Sequence, residues 1–92
     1  MKLLLDHNIS YKLVKGRKRG QAIRLTTNEW YKAQQLAETY WLYIVWDPLG
    51  NNPELIHIQN PAEKLDHAKR SIINGRYFEF SAESVIACAR SN

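Results

Sequence analysis

Tyr40 to Trp46 reads Tyr-Trp-Leu-Tyr-Ile-Val-Trp, apolar throughout and of strand length. Aromatic and β-branched residues in an unbroken run predict a central strand covered on both faces. The turn chemistry of Asp47-Pro-Leu-Gly-Asn-Asn-Pro53 follows it. Leu55, Ile56 and Ile58 then predict a partner strand, antiparallel across so short a connection. Before this pair, Trp30, Ala33 and Ala37 recur at helical intervals with Leu36 beside them, while Lys32, Gln34, Gln35 and Glu38 fall on the wet side. Thr26 and Glu29 stand at capping-box spacing and mark where that helix begins. After the partner strand, Asn60, Pro61 and Glu63 predict a second helix start. Leu65, Ala68 and Ile72 supply its apolar stripe, and Gly75 its end.

The remaining segments are shorter. Lys2 to Leu5 predicts a strand, Tyr11 to Val14 a second strand or, counted from Ile9, a helix, and Lys15-Gly-Arg-Lys-Arg-Gly20 an exposed turn. Ala22 to Leu25 alternates like a half-buried strand. Tyr77, Phe78 and Phe80 make a last strand, and Ser81 caps a helix carrying Val85, Ile86 and Ala89. The fold class is α+β, with one mixed sheet and about three helices.

A length of 92 residues allows one domain with a modest core. Cys88 is the sole cysteine, so no intramolecular disulfide reinforces the fold, and a reducing, cytoplasmic setting is expected. The opening Met1-Lys-Leu-Leu-Leu-Asp6 is too short for a signal-peptide core. No run approaches the roughly 18 apolar residues of a membrane span. His7, His57 and His67 show no metal-ligand spacing, and no zinc site is expected.

Charge changes the picture more. The net charge is +4, yet residues 7 to 28 hold six bases and no acid: Lys12, Lys15, Arg17, Lys18, Arg19 and Arg24. The remainder is slightly acidic. A concentrated basic segment attracts polyanions, so Lys15, Arg17, Lys18, Arg19 and Arg24 are the candidate nucleic-acid contacts. The plain alternative is a solvated hairpin tip. Trp41, Tyr43 and Trp46 are assigned to core packing rather than to base stacking.

Several blocks carry a resemblance. Val14-Lys-Gly-Arg17, Ile23-Arg-Leu-Thr-Thr-Asn-Glu-Trp30, Lys32-Ala33, Tyr40-Trp-Leu-Tyr-Ile-Val45, Pro53-Glu-Leu55 and Ile58-Gln-Asn-Pro61 occur in an order that resembles the protein NO VEIN C-terminal domain. The resemblance covers about residues 14 to 80. That domain occurs at the ends of helicase, ATPase and restriction-type proteins and is related to restriction-endonuclease-like nucleases. The resemblance therefore implies a truncated restriction-endonuclease-like fold. In the family the strand before the basic turn reads like Ile-Glu-Val-Lys-Gly, with a further Asp upstream. Paired carboxylates there hold a divalent metal, and the lysine orients or activates water. Here Lys15 matches the lysine, but Leu13 occupies the glutamate position. Residues 1 to 14 instead resemble the opening of small PIN-like toxin-type nucleases, where Asp6 would match a metal-binding Asp. The chain thus reads as a junction of two gene fragments within one domain, residues 1 to 92.

The candidate catalytic residues are therefore Lys15 and Glu29, the latter as a displaced acid against its plainer role in the capping box. Asp6 is the candidate metal ligand, against a plain turn aspartate. Three functions follow. The first is a degenerate, catalytically inactive restriction-endonuclease-like module that binds nucleic acid in a defence or repair setting, with no cofactor. The second is a self-associating, dimeric interaction module. The third is a nuclease rebuilt around Asp6, Glu29 and Lys15 with Mg²⁺ or Mn²⁺.

Overall fold

The computed structural model describes residues 11–90. The strand expected at Lys2 to Leu5 and the candidate ligand Asp6 lie outside them. The order is β1 (Tyr11–Arg17), β2 (Ile23–Thr26), α1 (Thr27–Leu36), β3 (Tyr40–Trp46), β4 (Glu54–Gln59), α2 (Pro61–Lys64), β5 (Arg70–Ile72), β6 (Tyr77–Phe80) and α3 (Ala82–Arg90). The α+β class is observed. The single mixed sheet is not: among the described residues the strands form two sheets of three, β1-β3-β4 and β2-β6-β5. The first is mixed, with β1 parallel and β4 antiparallel to β3. The second is antiparallel throughout.

β3 is central, as its composition predicts, and its register places Leu13 beside Leu42 and Lys15 beside Ile44. Its burial alternates, however. Tyr40, Leu42, Ile44 and Trp46 are buried, whereas Trp41, Tyr43 and Val45 on the other face are only partly covered. Cover on both faces was the expectation, and it fails on the outer face. Of the three aromatics assigned to the core, Trp46 is there. Trp41 and Tyr43 instead pack with His57 on the outer face, at centroid distances of 5.5 to 6.2 Å.

The sheets are joined through α1. Thr26 caps it by accepting from the Glu29 amide at 3.0 Å, while Glu29 Oε1 accepts from the Thr26 amide at 2.9 Å. The helix so started turns Trp30 and Ala33 into the core. The Trp30 ring lies 5.6 Å from Phe78 and 5.5 Å from Phe80 on β6. Ala37, expected on the helix, instead ends it with a positive φ of 50°.

The second helix is shorter than its apolar stripe suggested. Asn60 adopts the left-handed region (φ 55°), and its carbonyl, not its side chain, accepts from the Glu63 and Lys64 amides at 3.2 Å each. The helix stops at Lys64, a 3-10 turn spans Asp66–Ala68, and Ile72 pairs with Tyr77 in the β5–β6 hairpin. Gly75 has the left-handed backbone predicted for it (φ 81°), but in that hairpin rather than at a helix end. The last helix starts as expected, with the Ser84 amide donating to Ser81 Oγ at 3.1 Å.

Candidate functional site

Strand β1 alternates, so Tyr11, Leu13, Lys15 and Arg17 share the inner face. This strand runs to Arg17, beyond the end expected at Val14, because it pairs with β3 as far as Trp46. The start of α1 packs near that face and brings Glu29 to Lys15. Lys15 Nζ lies 3.0 Å from Glu29 Oε1 and 3.3 Å from Oε2, with both side chains about three-quarters covered. The two candidate catalytic residues therefore meet. Glu29 also keeps its capping role, so the two readings weighed for it coexist in one side chain.

Deeper in, the Tyr40 ring stacks on Tyr11 at 5.1 Å, and Lys32 Nζ stands 4.0 Å from the centre of the Tyr11 ring. The Tyr40 hydroxyl is buried with no hydrogen-bond partner among the described residues. Burial pushes its pKa well above the usual phenol value, and the Glu29 carboxylate and Tyr11 add to the rise. Leu13 stands two residues before Lys15 and packs against the core.

The basic residues divide into distinct environments. Arg17 Nε donates to the Ala22 carbonyl at 3.1 Å and closes the β1–β2 turn. Lys18 is exposed, with its backbone amide on Gln21 Oε1 at 3.2 Å. Arg19 pairs with Glu54, and its amide donates to Asp47 Oδ1 at 2.9 Å. Arg24 is on the other sheet, paired with Glu79 at 3.1 Å, and Arg70 joins the same carboxylate. These two guanidinium groups hold the Glu79 carboxyl below the usual carboxylate range. The structure thus does not bring Arg24 to the turn.

The acids that offset the basic segment, Asp47, Glu54 and Glu79, are distant from it in sequence and carried no local signal. Parallel pairing of β1 with β3 brings their carboxyl ends together and sets Asp47 against Arg17 and Arg19. The Cys88 thiol is buried, and burial pushes its pKa up, in keeping with the small apolar residue expected.

This geometry can be set beside known proteins. The family model for protein NO VEIN, C-terminal, matches residues 12–58, which run from β1 into β4 and include Lys15 and Glu29. The chain belongs to the NO VEIN C-terminal family. No curated protein and no solved structure matches it. Within the NO VEIN C-terminal match, the Leu-Thr-Thr-Asn-Glu-Trp30 block is the segment that caps α1 and delivers Glu29 to Lys15. A divalent metal, the ion weighed for this site from the sequence, does not fit the described residues. Among them no group of three or more His, Cys, Asp or Glu side chains is placed to hold an ion. Glu29 Oε1 is already engaged by the Thr26 amide and by Lys15, and Leu13 offers no oxygen. No helix among the described residues is long and apolar enough to cross a membrane.

Proposed function

We propose that this NO VEIN C-terminal domain is a degenerate restriction-endonuclease-like module that binds nucleic acid without cutting it, in the service of a defence or repair system. The observation that carries this reading is the Lys15–Glu29 pair with Leu13 beside it on the same face. Metal-assisted hydrolysis needs several oxygens around the ion to polarise the phosphate. A lysine paired to one carboxylate retains affinity for a phosphate path but not that polarising centre. The neighbouring turn supplies Arg17, Lys18 and Arg19, which suit phosphate contacts that position a protein without reading sequence. The expected result is intact duplex and single-stranded DNA and RNA after incubation with Mg²⁺ or Mn²⁺, read on a denaturing gel. Metal-dependent cleavage by the wild type, abolished in Lys15→Ala, would overturn the reading and favour the rebuilt nuclease.

A second reading, self-association, has its own observation. Val14 and Leu55 are just over half exposed, at 54% and 55%, on the outer face where Trp41 and Tyr43 are only partly covered. Both flank β3 on the outer strands of the described sheet, β1 and β4. A two-fold dimer joining these faces would cover them, and a stable one buries on the order of 1,600 Å² in total. Sedimentation velocity at micromolar concentration is expected to show a dimer that Val14→Lys with Leu55→Lys converts to monomer. A folded wild-type monomer throughout that range would remove this reading.

A further inference from the structure

The β3–β4 loop carries a feature that neither the core nor the Lys15–Glu29 pair uses. Leu49 is fully exposed at its apex, between Pro48 and Gly50. Single exposed leucines are ordinary on protein surfaces. This one is distinguished by its mounting and its neighbours. The Gly50 amide donates to the Asp47 carbonyl at 2.9 Å and closes a tight turn around Pro48 and Leu49. That turn is laced to the basic β1–β2 turn. The Asp47 amide donates to the Arg17 carbonyl at 2.7 Å, and the Arg19 amide to Asp47 Oδ1 at 2.9 Å. Arg19 also pairs with Glu54 at the start of β4. Gly16 lets the two turns close up, since a Cβ there would stand 3.2 Å from Pro48 Cγ. Leu49 is thus held out on a braced platform.

Between the two turns lies a cleft of about 410 Å³, lined by Arg17, Lys18, Gln21, Asp47, Pro48 and Leu49 among others. It opens at the carboxyl ends of the parallel strands β1 and β3. The Arg19 side chain is matched by Glu54, but Lys18 enters no ion pair among the described residues, and the Arg17 guanidinium meets a carbonyl rather than a carboxylate. The rim of the cleft therefore sets two cations, Arg17 and Lys18, against the single carboxylate of Asp47, and joins that excess positive charge to a projecting apolar tip. A protein partner with an apolar pocket would suit Leu49 alone. The paired cations favour a ligand that alternates phosphate with flat apolar rings.

We infer that Leu49 is a wedge that inserts between stacked base pairs of duplex DNA while Arg17 and Lys18 hold the phosphates beside it. Apolar wedges of this kind part a base step and kink the duplex. The cost is lowest at flexible pyrimidine–purine steps, so binding should favour TA-containing duplexes. The inference rests on the nucleic-acid reading above, and its test separates the two.

The probe is a duplex with 2-aminopurine at a central TA step, titrated with the full chain at low salt. Binding is expected to raise the 2-aminopurine fluorescence as the base unstacks. Leu49→Ala is expected to abolish that rise and weaken binding to this duplex on the order of tenfold. Its slope of affinity against salt should match the wild type, because the phosphate contacts remain. Leu49→Met should keep both the rise and the affinity. Because Leu49 packs on nothing, the alanine variant should melt like the wild type. If the wild type binds but Leu49→Ala gives the same rise and affinity, the wedge is wrong and the binding reading stands. A preference for single strands, or a Leu49→Ala effect confined to sedimentation, also overturns the wedge and assigns Leu49 to another contact. No binding by the wild type at any salt overturns both.

Discussion

Trp30→Ala is expected to strip the domain of most of its stability. Trp30 is 1% exposed and joins α1 to Phe78 and Phe80 of the second sheet. Truncating a buried Trp costs about 3–5 kcal/mol through lost transfer energy and the cavity left behind. Single domains have only about 5–15 kcal/mol in all. A short chain with no disulfide sits toward the low end of that range. In this fold the loss is not confined to one sheet, because α1 also touches β2, β3 and α2. A thermal melt followed by circular dichroism is the check. For a domain of this size the expected fall in Tm is at least ~12 °C. Tyr31→Ala is the control. It is the next residue on the helix, but more than half exposed, and should change stability by no more than ~0.5 kcal/mol. A Trp30→Ala melt within a few degrees of wild type would mean the two sheets are held together elsewhere.

The second large effect concerns the basic turn. Replacing Arg17, Lys18 and Arg19 together with Ala is expected to remove nucleic-acid binding at ordinary salt. Each phosphate neutralised by a cation contributes about −0.9 to the slope of log affinity against log salt. Losing three contacts therefore lowers the steepness by roughly 2.7. The loss is compounded locally, because Glu54 then stands without the Arg19 side chain that offsets it. Arg24→Ala tests the specificity of the effect. Arg24 belongs with Glu79 and Arg70 on the other sheet, so its removal should leave binding and slope nearly unchanged. Fluorescence anisotropy on all three proteins separates these outcomes. Binding by the triple variant equal to that of the wild type would remove the turn from the interface, and an Arg24→Ala effect as large as the triple would relocate it.

Much of the fold was legible because its signals are local. Thr26 and Glu29 cap α1 within one turn, and the run from Tyr40 to Trp46 is a strand by composition alone. Ser81 marks α3 in the same way. What failed to show in the sequence depends on pairing at a distance. β2 pairs with β6 through Ile23 and Phe80, and nothing near either residue indicates a second sheet. Leu65, Ala68 and Ile72 have helical spacing, but Ile72 is claimed by Tyr77 across a hairpin. The site divides along the same line. Lys15 and Glu29 were identifiable as residue types at family positions, whereas their contact needed β1 packed beneath α1. The carboxylates that offset Arg19 and Arg24 come from β4 and β6, so the basic segment looked more uniformly available than it is. Leu49 carried no signal beyond its place in a turn, because its exposure and its cationic neighbours follow from the parallel pairing of β1 and β3.

The most direct test of the central claim is an anisotropy titration of a fluorescent duplex with the wild-type chain, repeated as salt is raised from low to physiological concentration. The account predicts binding at low salt that weakens along a straight line in log affinity against log salt. Three contacts from the β1–β2 turn set its slope near −2.7. A protein that leaves the anisotropy unchanged even at the lowest salt, or binds with no dependence on salt, would contradict it.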